Sequence, residues 1–270
     1  MIRKWLGYPL ALVWLVISVY PILYMLFESF RSQETYLTGV PWLPPKHFYF
    51  GNYQGVLSQG FGMYFLNSAI VVLGSLLMIV VFGIMAAYAI VRLNGWASSK
   101  IFMIFLVGLA IPIQAAIIPL YLLVLRIGLY DSLWAMILPS VAFSLPLSIL
   151  ILVNFLRDIP NELYEAMMLE RIGTFSLKWK LTLPLSRPAI TAVGIFNFVQ
   201  IWNNFLFPLV LTSNPNLQTL PLALQRYEGQ YTMNVPAIFA AVSLSALPLA
   251  IAYIFGRKQL LAGMTAGFSK

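Results

Sequence analysis

The chain alternates between long apolar runs and short polar stretches. Six runs, at about residues 8–27, 66–91, 101–125, 133–156, 189–211 and 236–256, contain no Asp, Glu, Lys or Arg. A hydrocarbon core about 30 Å thick is crossed by about 20 helical residues, so each run predicts a transmembrane helix. A helix satisfies its own backbone polar groups in a medium without water. A membrane barrel needs alternating segments of about ten residues, whereas these runs are continuously apolar. Prolines fall in or beside the runs at positions 9, 21, 112, 119, 139, 146, 208 and 248. Each removes a helical hydrogen bond. Either proline is simply tolerated here, or the helices bend around a cavity.

Between the fourth and fifth runs lies a polar segment, Ile159–Pro188, too long for a plain connector. Pro160 suits a first helical turn, and Glu162 and Glu165 favour that end of the dipole. Leu163, Ala166, Met167 and Glu170 follow three–four spacing, which predicts a short helix with one stripe centred on a small residue. Arg171, Ile172 and Gly173 end it. A second segment, Phe175 to Leu183, stops at Pro184. Such a helix suits either a groove on a partner protein or the headgroup layer of the lipid.

Composition agrees with an integral membrane protein: 61% hydrophobic, 9% charged, mean hydropathy +0.87, against about 25% charged residues in soluble domains. The 270 residues fit a single transmembrane domain. Cysteine is absent, which excludes disulfides and thiolate chemistry. The single histidine, His47, lies in a proline- and aromatic-rich loop, and no metal site is predicted. The net charge of +8 comes without a dense basic run, so lipid and not nucleic acid is the expected neighbour. Arg3 and Lys4 precede an apolar run that lacks a small-residue cleavage site, which reads as a first span and not a cleaved signal.

The cations set the orientation. Arg3, Lys4, Arg92, Lys100, Arg157, Arg171, Lys178, Lys180, Arg187, Arg257, Lys258 and Lys270 fall on one side; Arg31, Lys46, Arg126 and Arg226 fall on the other. The positive-inside rule puts the richer side, with both termini and the 157–188 loop, in the cytoplasm. Loop 28–65, rich in Pro, Gly and aromatics, is then an extracytoplasmic cap.

Charge-free spans bear on mechanism. Ion-coupled carriers commonly place ionisable groups in the membrane, although backbone carbonyls can also bind an ion. Catalysis needs paired carboxylates or an activated nucleophile, and the spans hold neither, so no enzyme is predicted. No phosphate loop of the GxxxxGK[ST] type occurs. The fifth run does hold Asn197, Gln200, Trp202, Asn203 and Asn204. Asn197, Gln200 and Asn204 share a helix face at i, i+3 and i+7. In lipid such a face must meet protein or water. It is either interhelical glue or the lining of a path for a neutral polar solute, and Gln114 is a further candidate for that path.

Several motifs resemble one family. The order I-P-x-E-L-x-E-A, followed by L-P nineteen residues after the second Glu, looks like the EAA loop of binding-protein-dependent ABC importer permeases. Y-A-I-V-R-L, I-P…P-L-Y-L-L…G-L-Y-D-S, W-N-N-F-L-F-P-L, T-L-P-L-A-L and the closing L-A-G-M-T-A-G-F-S-K resemble the carbohydrate-importing branch, and within it the smaller permease of the maltose system. The resemblance covers nearly the whole chain. It implies an all-α type I importer permease of six spans in a bacterial or archaeal cytoplasmic membrane. It implies a heterodimer with a second permease, two ATPase subunits that bind ATP and Mg²⁺, and an extracytoplasmic solute-binding protein; this chain itself would hold no cofactor.

The resemblance also assigns residues. Glu162, Leu163, Glu165, Ala166, Met167, Glu170, Arg171 and Gly173 would couple to the ATPase, and Gly263, Thr265, Gly267 and Lys270 would form a tail that contacts it. The sequence departs from the family pattern at Met167, where a second Ala is usual, and at Arg171, where Gly is usual. The Gly229–Ala237 stretch resembles importers of short β-linked plant oligosaccharides such as xylobiose or cellobiose. Alternatives open at this stage are a self-sufficient carrier or channel and an assembly factor without transport.

Overall fold

The computed structural model of the chain describes residues 2–93, 95–169, 178–227 and 233–266. These residues form helices joined by turns: α1 Ile2–Ser29, α2 Gln33–Thr38, α3 Gly51–Val56, α4 Gly62–Arg92, α5 Trp96–Gly108, α6 Ile113–Arg126, α7 Trp134–Arg157, α8 Asn161–Leu169, α9 Arg187–Trp202, α10 Leu206–Leu211 and α11 Val235–Ala266. A π-helical turn, Leu57–Phe61, links α3 to α4 and bends at Gly60, whose φ of 89° suits a residue without a Cβ. Another, Lys178–Thr182, precedes α9.

By length and composition, four stretches can cross a membrane: Tyr8–Ser29, Gly51–Arg92, Trp134–Arg157 and Val235–Arg257. The third apolar run, expected as one helix over 101–125, is instead α5 and α6, bent by 99°. Pro112 favours the break: it disfavours a helical conformation in the residue before it and stands as the N-cap of α6 with ψ 130°. The fifth run, 189–211, is also interrupted. There α9 ends at Trp202 and α10 begins at Leu206. Two adjacent asparagines make this break. Asn203 Nδ2 donates to Val199 O (2.9 Å), and Asn204 Oδ1 accepts from Phe207 N (3.0 Å), so one amide closes a helix and the next opens another.

The chain divides into two compact units, residues 1–65 with 222–248 and residues 66–221 with 249–270. In the first, residues 28–65 are folded on themselves. Arg31 Nη2 donates to Val40 O (2.7 Å) and Leu43 O (2.6 Å), and Asn52 Nδ2 donates to Ser29 O (2.9 Å) and Arg31 O (2.7 Å). The Phe30 ring sits among Phe48, Phe50 and Tyr53. Helix α1 keeps most of its apolar side chains exposed.

In the second unit α7 is the central helix. It packs against α5, α9 and α10, and its Met136, Ile137, Ile149, Leu152, Val153 and Leu156 are buried. Gly108 allows the close approach of α5: a Cβ there would stand 3.1 Å from Pro146 Cγ. Among apolar helices in lipid, packing of this kind supplies what the hydrophobic effect cannot. Polar clamps hold the connections. Asn67 Nδ2 donates to Asn216 O (2.8 Å) and Gln218 O (2.9 Å), and Ser68 Oγ accepts from Leu220 N (2.9 Å). The Asp131 carboxylate accepts from Thr212 Oγ1, Ser213 N, Ser213 Oγ and Asn214 N at 2.7–3.0 Å, tying the α6–α7 turn to the segment after α10.

Candidate functional site

Two places in the second unit gather the residues singled out by the sequence. The first is a cavity of about 320 Å³ between the α5–α6 bend, α7, α9 and α10. Asn197, Gln200 and Asn204 line it from one side and Ser140 and Ser144 from another; the aromatic wall is Phe143, Phe196 and Phe207. The α7 serines sit one turn apart at i and i+4, with Ser148 a turn further on, so the serine face of α7 opposes the amide face of α9.

The three amides differ in their commitments. Asn197 is 2% exposed and donates to Ser148 Oγ (3.0 Å) and Val193 O (2.9 Å). Its amide nitrogen is therefore fully used, with one bond across to α7 and one within α9. Asn204 spends its oxygen on the start of α10. Gln200 is exposed on the cavity and makes no hydrogen bond among the described residues. The remaining candidates lie elsewhere. Trp202 is buried and stacked on Phe198, with ring centroids 5.6 Å apart; Asn203 faces out from the end of α9; Gln114 is exposed on α6, and its neighbour Ile113 lines the cavity instead. Irregular backbone at membrane depth is tolerated where it borders a cavity, and the α9–α10 break does so through Asn204.

The second place is the polar loop. Helix α8 begins at Asn161, so Pro160 precedes its first turn and Glu162 lies within that turn. Glu162, Leu163 and Glu165 are exposed and Met167 is half-exposed. Ala166 is part of the same helix. Glu170, Arg171 and Gly173 lie outside the described residues, as do Gly267 and Lys270; Gly263 and Thr265 fall in the last turns of α11.

Tyr164 on α8 turns the other way and is 2% exposed. The Arg92 guanidinium, at the end of α4, stands 3.0 Å from its ring centroid, and Arg92 Nη1 donates to Asn161 Oδ1 at 2.9 Å. The Tyr164 hydroxyl shares a 3.3 Å hydrogen bond with Thr182 Oγ1. The sequence pattern does not single out Tyr164, because it lies off the predicted stripe of Leu163, Ala166, Met167 and Glu170. The usable signal was the Asn161–Tyr164 spacing, which marks a second helix face opposite the predicted stripe.

The family model described as "Binding-protein-dependent transport system inner membrane component" matches residues 79–260. A protein of Caldicellulosiruptor sp. described as an ABC transporter permease, ORF2, is 43% identical over 99% of this chain and 97% of its own length. The diacetylchitobiose uptake system permease protein NgcG of Streptomyces coelicolor is 32% identical over 97% of this chain and 87% of its own. Among solved structures, a chain of a bacterial ABC transporter involved in alginate import superposes with a TM-score of 0.84 at 19% identity, covering 95% of this chain and 96% of that one. That likeness is one of fold.

Proposed function

The chain belongs to the family of binding-protein-dependent transport system inner membrane components, and on that premise we propose that it is one permease subunit of an ATP-driven sugar importer. It works in a cytoplasmic membrane beside a second permease, above two ATPase subunits and below an extracytoplasmic solute-binding protein. The observation that carries this reading is the two-sided α8: Tyr164 is held inside the fold while Glu162, Leu163 and Glu165 are left exposed. A nine-residue helix is marginal in isolation. Seated by one face, it presents the other as a rigid element that an ATPase can grip.

In this reading the chain takes no chemical step and binds no cofactor; ATP and Mg²⁺ sit on the ATPase pair. Closure of that pair carries α8 with it, and the helix bundle answers by switching the side to which its path opens. The solute meets uncharged donors and acceptors on the wall formed by Gln200, Asn204 and Ser144. Hydroxyl groups match such a wall, which carries no formal charge. Sugar as the cargo class draws further support from the diacetylchitobiose system to which the chain is similar. The exposed α1 is free for lipid and for the second permease.

The test uses the assembled complex. With Glu165→Lys, sugar uptake is lost and ATP hydrolysis no longer follows sugar, while the chain still inserts into the membrane. Normal uptake by this variant contradicts the docking role.

A further inference from the structure

Resting on that reading, the geometry points to Arg92 and Tyr164 as the positioning pair that joins α8 to the solute cavity. A docked α8 moves the permease only if something rigid connects it to the bundle. Tyr164 is one of the largest fully buried side chains of the chain, and it reaches two separate elements. Its ring lies under the guanidinium of Arg92, the last residue of α4. Its hydroxyl reaches Thr182 Oγ1. Thr182 is 1% exposed, and its carbonyl accepts from Ser186 N at 2.9 Å, directly before α9. The far end of α9 carries Gln200, on the cavity. Thus one phenol ring sits between the helix that would meet the ATPase and the two helices it must move.

Arginine suits this place for a physical reason. Its planar guanidinium can cover the ring while one N–H is spent on Asn161 Oδ1 at 2.9 Å. An ammonium offers a point charge and cannot do both in the same plane. Neither residue is on the exposed face of α8 and neither lines the solute cavity. They act through other groups, so their loss shows as lost coupling.

The experiment is performed on the whole importer in proteoliposomes, with its ATPase pair, its binding protein and a sugar that stimulates the wild type. The readout is ATP hydrolysed per sugar imported, alongside the amount of ATPase that copurifies. In Tyr164→Leu and Arg92→Gln the ratio rises by about tenfold, the scale of an ordinary coupling free energy, with wild-type copurification. Arg92→Lys, which keeps a cation near the ring, and Tyr164→Phe, which keeps the ring but loses the bond to Thr182, both lie between. The double variant R92Q/Y164L is no worse than either single one, because the two residues form one unit. An unchanged ratio in the single variants, or additive losses in the double, overturns the inference. Should the Leu and Gln variants fail to accumulate, Arg92→Lys and Tyr164→Phe decide it: a raised ratio in either supports the pair, and wild-type ratios in both overturn it. A wild-type complex whose hydrolysis ignores every sugar instead refutes the importer reading, which is a separate outcome.

Discussion

Asn197 on α9 donates a hydrogen bond to Ser148 Oγ on α7 at 3.0 Å. Ser148 in turn donates to Ser144 O at 2.8 Å. The two helices that bound the cavity are therefore joined by a polar link that is itself satisfied. Replacing Asn197 with Leu leaves Ser148 its own acceptor, so the loss is that of one interhelical bond, about 1 kcal/mol. The expected outcome is a modest fall in the melting temperature of the purified complex with transport retained. Asn197→Asp buries a charge at a 2% exposed position and falls much further.

Gln200 separates binding from stability. Its side chain makes no hydrogen bond among the described residues and faces the cavity. Gln200→Ala is expected to leave the melting temperature unchanged and to raise the sugar concentration needed for half-maximal transport. Asn204→Ala behaves differently, because it removes the acceptor for Phe207 N. That cap is worth about 1 kcal/mol, so both melting temperature and transport fall. Parallel melting and uptake curves on the two variants check the contrast.

Asp131 sets an acid limit. Hydrogen bonds from Asn214 N, Thr212 Oγ1, Ser213 N and Ser213 Oγ hold its carboxyl below the ordinary value of 3.8, and partial desolvation opposes them. The folded pKa lies below the unfolded one, so the contribution to stability is fully present above the unfolded value. It is lost as pH falls through the folded value. Wild type and Asp131→Asn are expected to differ by a constant amount in melting temperature at neutral and mildly acidic pH, and the gap closes only below about pH 4.

The contact between Gly108 and Pro146 predicts a steric limit. A Cβ at position 108 lies 3.1 Å from Pro146 Cγ, and a leucine must push α5 away from α7. Overpacking of this kind costs about 1–3 kcal/mol. Gly108→Leu is expected to lower the melting temperature, whereas Gly108→Ala is tolerated with a smaller loss.

Periodicity alone placed Asn197, Gln200 and Asn204 on one face, and that face does border the cavity, because spacing is local and helical geometry is fixed. The breaks were less legible. Pro112 is visible in the sequence, but its 99° consequence depends on how α5 and α6 pack against neighbours. The interruption at Asn203 and Asn204 was hidden by the hydrophobicity of its flanks, and only the choice of backbone partners by the two amides reveals it. Tyr164 escaped for a related reason. Arg92 and Thr182 lie 72 residues before it and 18 after it, and a sequence window holds neither.

The most direct measurement is ATP hydrolysis by the reconstituted complex, with its solute-binding protein, against a panel of sugars that includes short β-linked oligosaccharides. An ATP-driven sugar importer is expected to hydrolyse ATP faster with one class of sugar, only with the binding protein present, and to accumulate that sugar inside the vesicle. Hydrolysis indifferent to every sugar, or sugar flux through this chain alone driven by an ion gradient, would contradict it.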